Sequence, residues 1–99
     1  MINKNEYGVI NIKDRAIKEI ILIAIKKTKF VRPIKKDLSF ITLTQKNNNL
    51  NINVNVKVKE GKDIIKVTSL AQKNIADAIY DFTSAKVSKV KVSIVDFYN

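Results

Sequence analysis

The chain has no histidine and no cysteine, only two glycines and a single proline. Each absence excludes something. Histidine is the side chain most often used for proton transfer near neutral pH, so acid–base catalysis loses its usual agent. The hydroxyls of Ser69, Thr83, Ser84 and Ser93 have no imidazole to activate them, and a lysine base would need burial. Without cysteine there is no disulfide framework and no thiolate metal site, which fits a reducing compartment. No carboxylates fall at metal-ligand spacing, and no glycine-rich loop offers to cradle a phosphate. The sequence therefore predicts a protein that is not an enzyme and carries no metal or cofactor. The longest apolar run, Ile20 to Ile25, is far short of the about 20 residues that a bilayer span needs. The opening residues also lack the apolar core of a signal peptide. These features predict a cytoplasmic protein without direct membrane insertion.

What is present is lysine, asparagine and isoleucine. Lys plus Arg number 19 against 9 Asp plus Glu, a net charge of +10. That balance favours anionic partners: nucleic acid, acidic lipid or an acidic protein. A second source of the same charge is codon composition, since an AT-rich genome enriches lysine, asparagine and isoleucine together. Apolar residues make up 45 % of the 99, enough for one domain with its own core.

Residues 1–6 are polar, and Tyr7 to Ile12 reads as a short strand. Asp14 is placed to cap a helix running to about Lys27, with Ile17, Ile20, Ile21, Ala24 and Ile25 at helical spacing. Leu22 and Ile23 make that helix apolar almost all round, which predicts cover on two sides or a subunit interface. Residues 28–37 form a connection, and Leu38 to Thr44 a strand with a bulge near Phe40 and Ile41. A turn at Gln45 to Asn49 leads to the clearest strand, Leu50 to Val58. There Leu50, Ile52, Val54, Val56 and Val58 face one way, and Asn51, Asn53, Asn55 and Lys57 the other. Gly61 ends it. Asp63 then caps a helix whose stripe of Ile64, Val67, Ala71, Ile75, Ala78, Ile79 and Phe82 stays in phase. A start at Ser69, boxed by Gln72, is the alternative. Val87 to Phe97 closes the chain as a strand, with Val90, Val92 and Ile94 inward, Lys89 and Lys91 outward, and a slip of phase at Val95. The predicted class is α+β: a two-layer sandwich in β-α-β-β-α-β order, with two helices on one face of a four-stranded sheet.

Two surfaces are candidate sites. Lys26, Lys27, Lys29, Arg32, Lys35 and Lys36 crowd eleven residues without an acid, interleaved with Phe30, Val31 and Ile34. They form either an anion-binding patch or an ordinary solvated loop. The second is the wet sheet face: Asn51, Asn53, Asn55 and Lys57 with Lys89 and Lys91. RNA-binding sheets of this topology stack bases on aromatics, and the expected face has none. Asp77 and Asp81 lie on the outer side of the second helix, where pairing with Lys73 is the expectation.

The chain also resembles the alkaline shock protein family, or envelope stress response family, of small bacterial proteins. At the N-terminal end the resemblance rests on Gly8, Ile10, Ile12, Ile17, Ile20 and Ala24. At the C-terminal end it rests on Gly61, Gln72, Ile75, Ala78, Ile79, Thr83, Val87, Val90 and Val92. It spans about residues 7–97, which would be a single alkaline-shock-type domain. The chain departs from the family in carrying KFVRP where a Pro-Gly-Val turn is usual, and in being basic where members are often acidic. The resemblance implies a non-enzymatic cytoplasmic scaffold or adaptor that binds protein partners and forms homo-oligomers. In some relatives a membrane-anchored partner holds the protein at the inner membrane surface. Others are encoded beside a fatty-acid or dihydroxyacetone kinase-like enzyme, so an accessory role there is a further expectation.

Overall fold

The computed structural model describes the backbone of residues 7–35, 37–46, 49–83 and 87–99, and side chains within those spans from Asp14 onward, Lys46 excepted. The order is α1 (Tyr7–Lys27), β1 (Val31–Pro33), β2 (Ile41–Lys46), β3 (Asn49–Lys59), α2 (Ile64–Thr83) and β4 (Val87–Tyr98). The α+β class, with two helices and a four-stranded sheet, is as the sequence predicts. The position of the first strand is not. Tyr7–Ile12 belongs to α1, so Asp14 lies inside the helix rather than at its start. The missing strand is β1, three residues within the expected connection. An apolar run as short as YGVINI satisfies both periodicities, and its continuity with the helical pattern after it decides the outcome.

The sheet is built around β3. β4 pairs with it in parallel from Leu50 to Lys59, occupying one whole edge. β2 pairs antiparallel with Asn49 to Val54, and β1 antiparallel with Val56 to Val58. Because β4 fills one edge, β1 and β2 lie end to end along the other. The sheet is therefore three rows wide although it has four strands. Between β1 and β2 the Asn55 amide is taken by the Phe40 carbonyl at 3.0 Å, so the edge stays bonded across the gap. The poor alternation at Phe40 and Ile41 has a simple cause. Phe40 lies in the turn before β2, so both residues are buried without a bulge within the strand. Part of the expected Gln45–Asn49 turn, residues 47–48, lies outside the described residues.

The parallel β3–β4 pair requires a crossover, and α2 supplies it. Gly61 turns the chain with φ of 82°. Asp63 then caps the helix, its carboxylate accepting from the Lys66 amide at 3.2 Å, which settles the start in favour of Asp63 over Ser69. Val67, Ala71, Ile75 and Ile79 are buried at a spacing of four, while the expected stripe's two ends, Ile64 and Phe82, stay exposed.

The core lies between the helices and one face of β3. Ile52, Val54, Val56 and Val58 meet Ile21, Ala24 and Ile25 of α1 and the four buried residues of α2. Burial of each isoleucine or valine among them is worth about 1.5–3 kcal/mol. Among the described residues one buried polar group sits with them. Thr28, 3 % exposed, donates its hydroxyl to the Ala24 carbonyl at 2.8 Å and accepts from the Asn74 amide at 2.9 Å. This bond ties the end of α1 to the middle of α2. Of the two alternatives expected for α1, cover on two sides within the chain is incomplete: Ile23 is 50 % exposed.

Urea denaturation checks this core. Ile75→Ala should cost about 2–5 kcal/mol, and Thr28→Val about 1–3 kcal/mol by stranding the Asn74 amide. Ile23→Ala should stay within about 0.5 kcal/mol. Equal destabilisation at Ile75 and Ile23 would contradict the burial pattern.

Candidate functional site

Helices cover one sheet face; among the described residues no element covers the other. Strand register assigns its residues. Arg32 opposes Lys57, Thr42 opposes Asn53, and Thr44 opposes Asn51. On β4, Lys89, Lys91 and Ser93 oppose Asn51, Asn53 and Asn55. All six predicted sheet residues thus share one face. Ser93 donates to the Asn53 amide oxygen at 3.5 Å, and Thr42, Thr44, Lys89 and Lys91 line a shallow groove of about 150 Å³ between the rows.

The sequence reading misses part of this face. After Ile94 the register jumps: Val56 opposes Ile94, but Lys57 opposes Asp96. Val95 is the extra residue, a β-bulge where the phase slip is expected. The shift puts Asp96 and Tyr98 on the open face and Phe97 on the covered one. The expectation of no aromatic there is therefore corrected by Tyr98. The Arg32 guanidinium lies 3.9 Å from the centre of the Tyr98 ring, a cation–π stack reaching across the β3 row. Arg32, Lys57, Lys59, Lys89 and Lys91 face a single described carboxylate, Asp96. The signal was present in the phase slip, which reverses the facing of every residue after it.

The basic connection does not form one patch. Arg32 goes to the open sheet face. Lys26 and Lys35 line a cleft with Leu22, Pro33 and Ile34. Lys29 turns toward the Phe30 ring, 5.8 Å from its centre, where Lys62 approaches to 4.3 Å. Lys27 ends α1, where a cation complements the helix dipole. Lys36 lies outside the described residues. The Phe30 backbone carries this division. Its φ of 69° is rare for an aromatic residue, and its carbonyl accepts from the Lys59 amide at 3.0 Å. The reversal at Phe30 sends α1 one way and β1 the other, so lysines adjacent in sequence point to separate surfaces.

A wider cleft of about 580 Å³ is lined by Asp14, Arg15, Lys18, Glu19, Leu22, Asp37 and Leu38. Its charges are mixed, and Arg15 approaches Glu19 at 3.6 Å. Hydrogen bonds from the Ser39 hydroxyl and amide hold the Asp37 carboxyl below its ordinary range. On α2, Lys73 meets Asp77 at 2.9 Å on the exposed side, as the spacing predicts, and the contact raises the lysine above its ordinary range. Ser84 lies outside the described residues, and Thr83 donates to the Ile79 carbonyl at 2.7 Å. Among the described residues no three His, Cys, Asp or Glu side chains group to hold a metal, and no helix is long and apolar enough to cross a membrane.

An NMR titration tests the Asp37 arrangement. Its carboxyl should titrate below 3.8 and return toward that value in Ser39→Ala. A depressed carboxyl stabilises the turn above its unfolded value, and that contribution is lost as pH falls through the folded value. Acidification should therefore loosen the 37–39 turn, and Ser39→Ala should weaken this acid dependence, the residue-39 amide still bonding the carboxylate.

Compared with known protein families, with curated proteins and with solved structures, the chain matches none.

Proposed function

We propose that this protein is a non-enzymatic scaffold or adaptor of the envelope stress response type, working in the cytoplasm through protein contacts and self-association. The observation that carries the reading is where four of the eight large exposed apolar side chains among the described residues lie. β3 ends at Lys59, α2 begins at Ile64, and the Glu60 amide bonds the Tyr98 carbonyl at 2.9 Å. The start of α2 and the finish of β4 therefore share one end of the molecule. That end exposes Ile65 at 76 %, Val95 at 54 %, and Ile64 and Phe97 at 44 % each. Single exposed apolar residues are ordinary, whereas a group at one end is a feature of contact surfaces. The resemblance to the alkaline shock family supports the same role, with a membrane-anchored protein among the candidate partners. Light scattering across a concentration series, with affinity capture from the native cell, tests it. Association that weakens in Ile65→Lys is the expected result. A strict monomer at high concentration that captures no partner would overturn the reading.

One observation favours a second reading, binding of single-stranded nucleic acid. The open sheet face holds five cations and an aromatic ring, the components of a backbone-tracking surface. Labelled RNA titrated at rising salt discriminates the two. If the face binds, Lys89→Ala with Lys91→Ala should flatten the salt slope by about 0.7 for each phosphate no longer neutralised. An absence of binding at about 0.1 M salt would eliminate this reading.

A further inference from the structure

The geometry points to the free edge of β4 as the place where a second copy of this chain adds to the sheet. This deepens the self-association proposed above and rests on it. Among the described residues β4 pairs with β3 alone, so its outer edge has no partner strand along twelve residues, although the Asp96 carboxylate accepts from the Phe97 amide at 2.8 Å. Such an edge is a template for another strand unless it is guarded. β4 has no proline, and none of its residues is fully buried. Its guards are the lysines Lys89 and Lys91 and the irregularities near Ser88 and Val95.

Those guards reject some partners and admit one. In an antiparallel pair, opposed residues share a face. Lys89, Lys91, Ser93, Asp96 and Tyr98 lie on the open face; Val90, Val92, Ile94 and Phe97 lie on the covered face. A two-fold axis at Lys91 would set Lys91 against its own copy, and like charges directly opposed are destabilising. An axis at Val92 would pair Lys89 with Asp96 but set Phe97 against the polar Ser88, itself at a register irregularity. An axis at Ser93, allowing for the Val95 bulge, satisfies both faces. Lys91 then opposes Asp96 of the second copy, Val92 opposes Ile94, and Val90 opposes Phe97. Each acid meets a base, and the exposed Phe97 gains an apolar neighbour. The Val90 carbonyl, already accepting from Gln72 of α2 at 3.1 Å, keeps a second lone pair for the new strand. The product is one sheet running through two copies, with both open cationic faces on the same side.

The cysteine-free chain makes the test clean. In Ser93→Cys the thiol meets its own copy across the axis, at the about 4.5–5.5 Å Cα separation that a disulfide accepts. Mild oxidation should give a covalent dimer in high yield, while Thr42→Cys on the opposite edge should give at least tenfold less. Lys91→Glu should raise the dimer dissociation constant at least tenfold in sedimentation, and Lys91→Glu with Asp96→Lys should restore it; circular dichroism confirms that each variant is folded. Equal cross-linking at both cysteines, or a swap that fails to restore the dimer, overturns the proposal. If the wild-type chain still self-associates under those results, the scaffold reading stands and only this edge is excluded. If it remains a monomer and captures no partner, both fall.

Discussion

Everything in this fold hangs on β3 being hydrogen-bonded along both edges while one of its faces is dry. A strand so placed must carry apolar residues at every second position, and Ile52, Val54, Val56 and Val58 do so without interruption. The alternate positions are released from packing and take asparagine and lysine. β1 and β2 are too short to define a sheet alone; each borrows part of β3. β4 borrows the other edge, and only because α2 carries the chain back across the covered face. A polar residue at Val54 or Val56 would therefore disturb the core and the central ladder together.

The helices are joined to one another as well as to the sheet. Thr28 stands at the end of α1 and Asn74 in the middle of α2, and among the described residues their bond is a polar link within the apolar packing of the two helices. Apolar packing specifies that the two helices meet, but many sliding positions bury similar area. A directional bond between buried groups penalises the wrong ones, because each would strand a donor or an acceptor. Ile23, one position off the buried stripe, has no such role and points outward.

Much of this was legible from residues alone, for identifiable reasons. β3, α2 and β4 have long, clean periodicities, and Asp63 and Gly61 mark the boundaries by mechanisms that act locally. The bulge at Val95 was visible as a slip of phase. What was hidden depends on distant partners. Tyr7–Ile12 looks like a strand because period two and helical spacing coincide over six residues. β1 is legible only once β3 exists to pair with it, since three residues including a proline carry almost no strand signal. The basic run reads as one patch because sequence proximity ignores the reversal at Phe30. Tyr98 reaches the open face only because the bulge inverts the last residues of β4, so locating the slip without carrying it forward leaves the ring on the wrong side.

The three-row sheet also sets an order for assembly. Lys46 and Asn49 are paired with two residues between them, so the β2–β3 ladder closes locally. Val31 meets Val58 across 27 positions, and Leu50 meets Val87 across 37. Loop-closure entropy grows with separation, and contacts between distant residues slow folding. The hairpin is thus the natural seed, and β4 the last strand to dock, after α2 has formed to carry it. Until then one whole edge of β3 is bare, so the chain is most exposed to wrong pairing late in folding, when the hairpin and both helices are already in place.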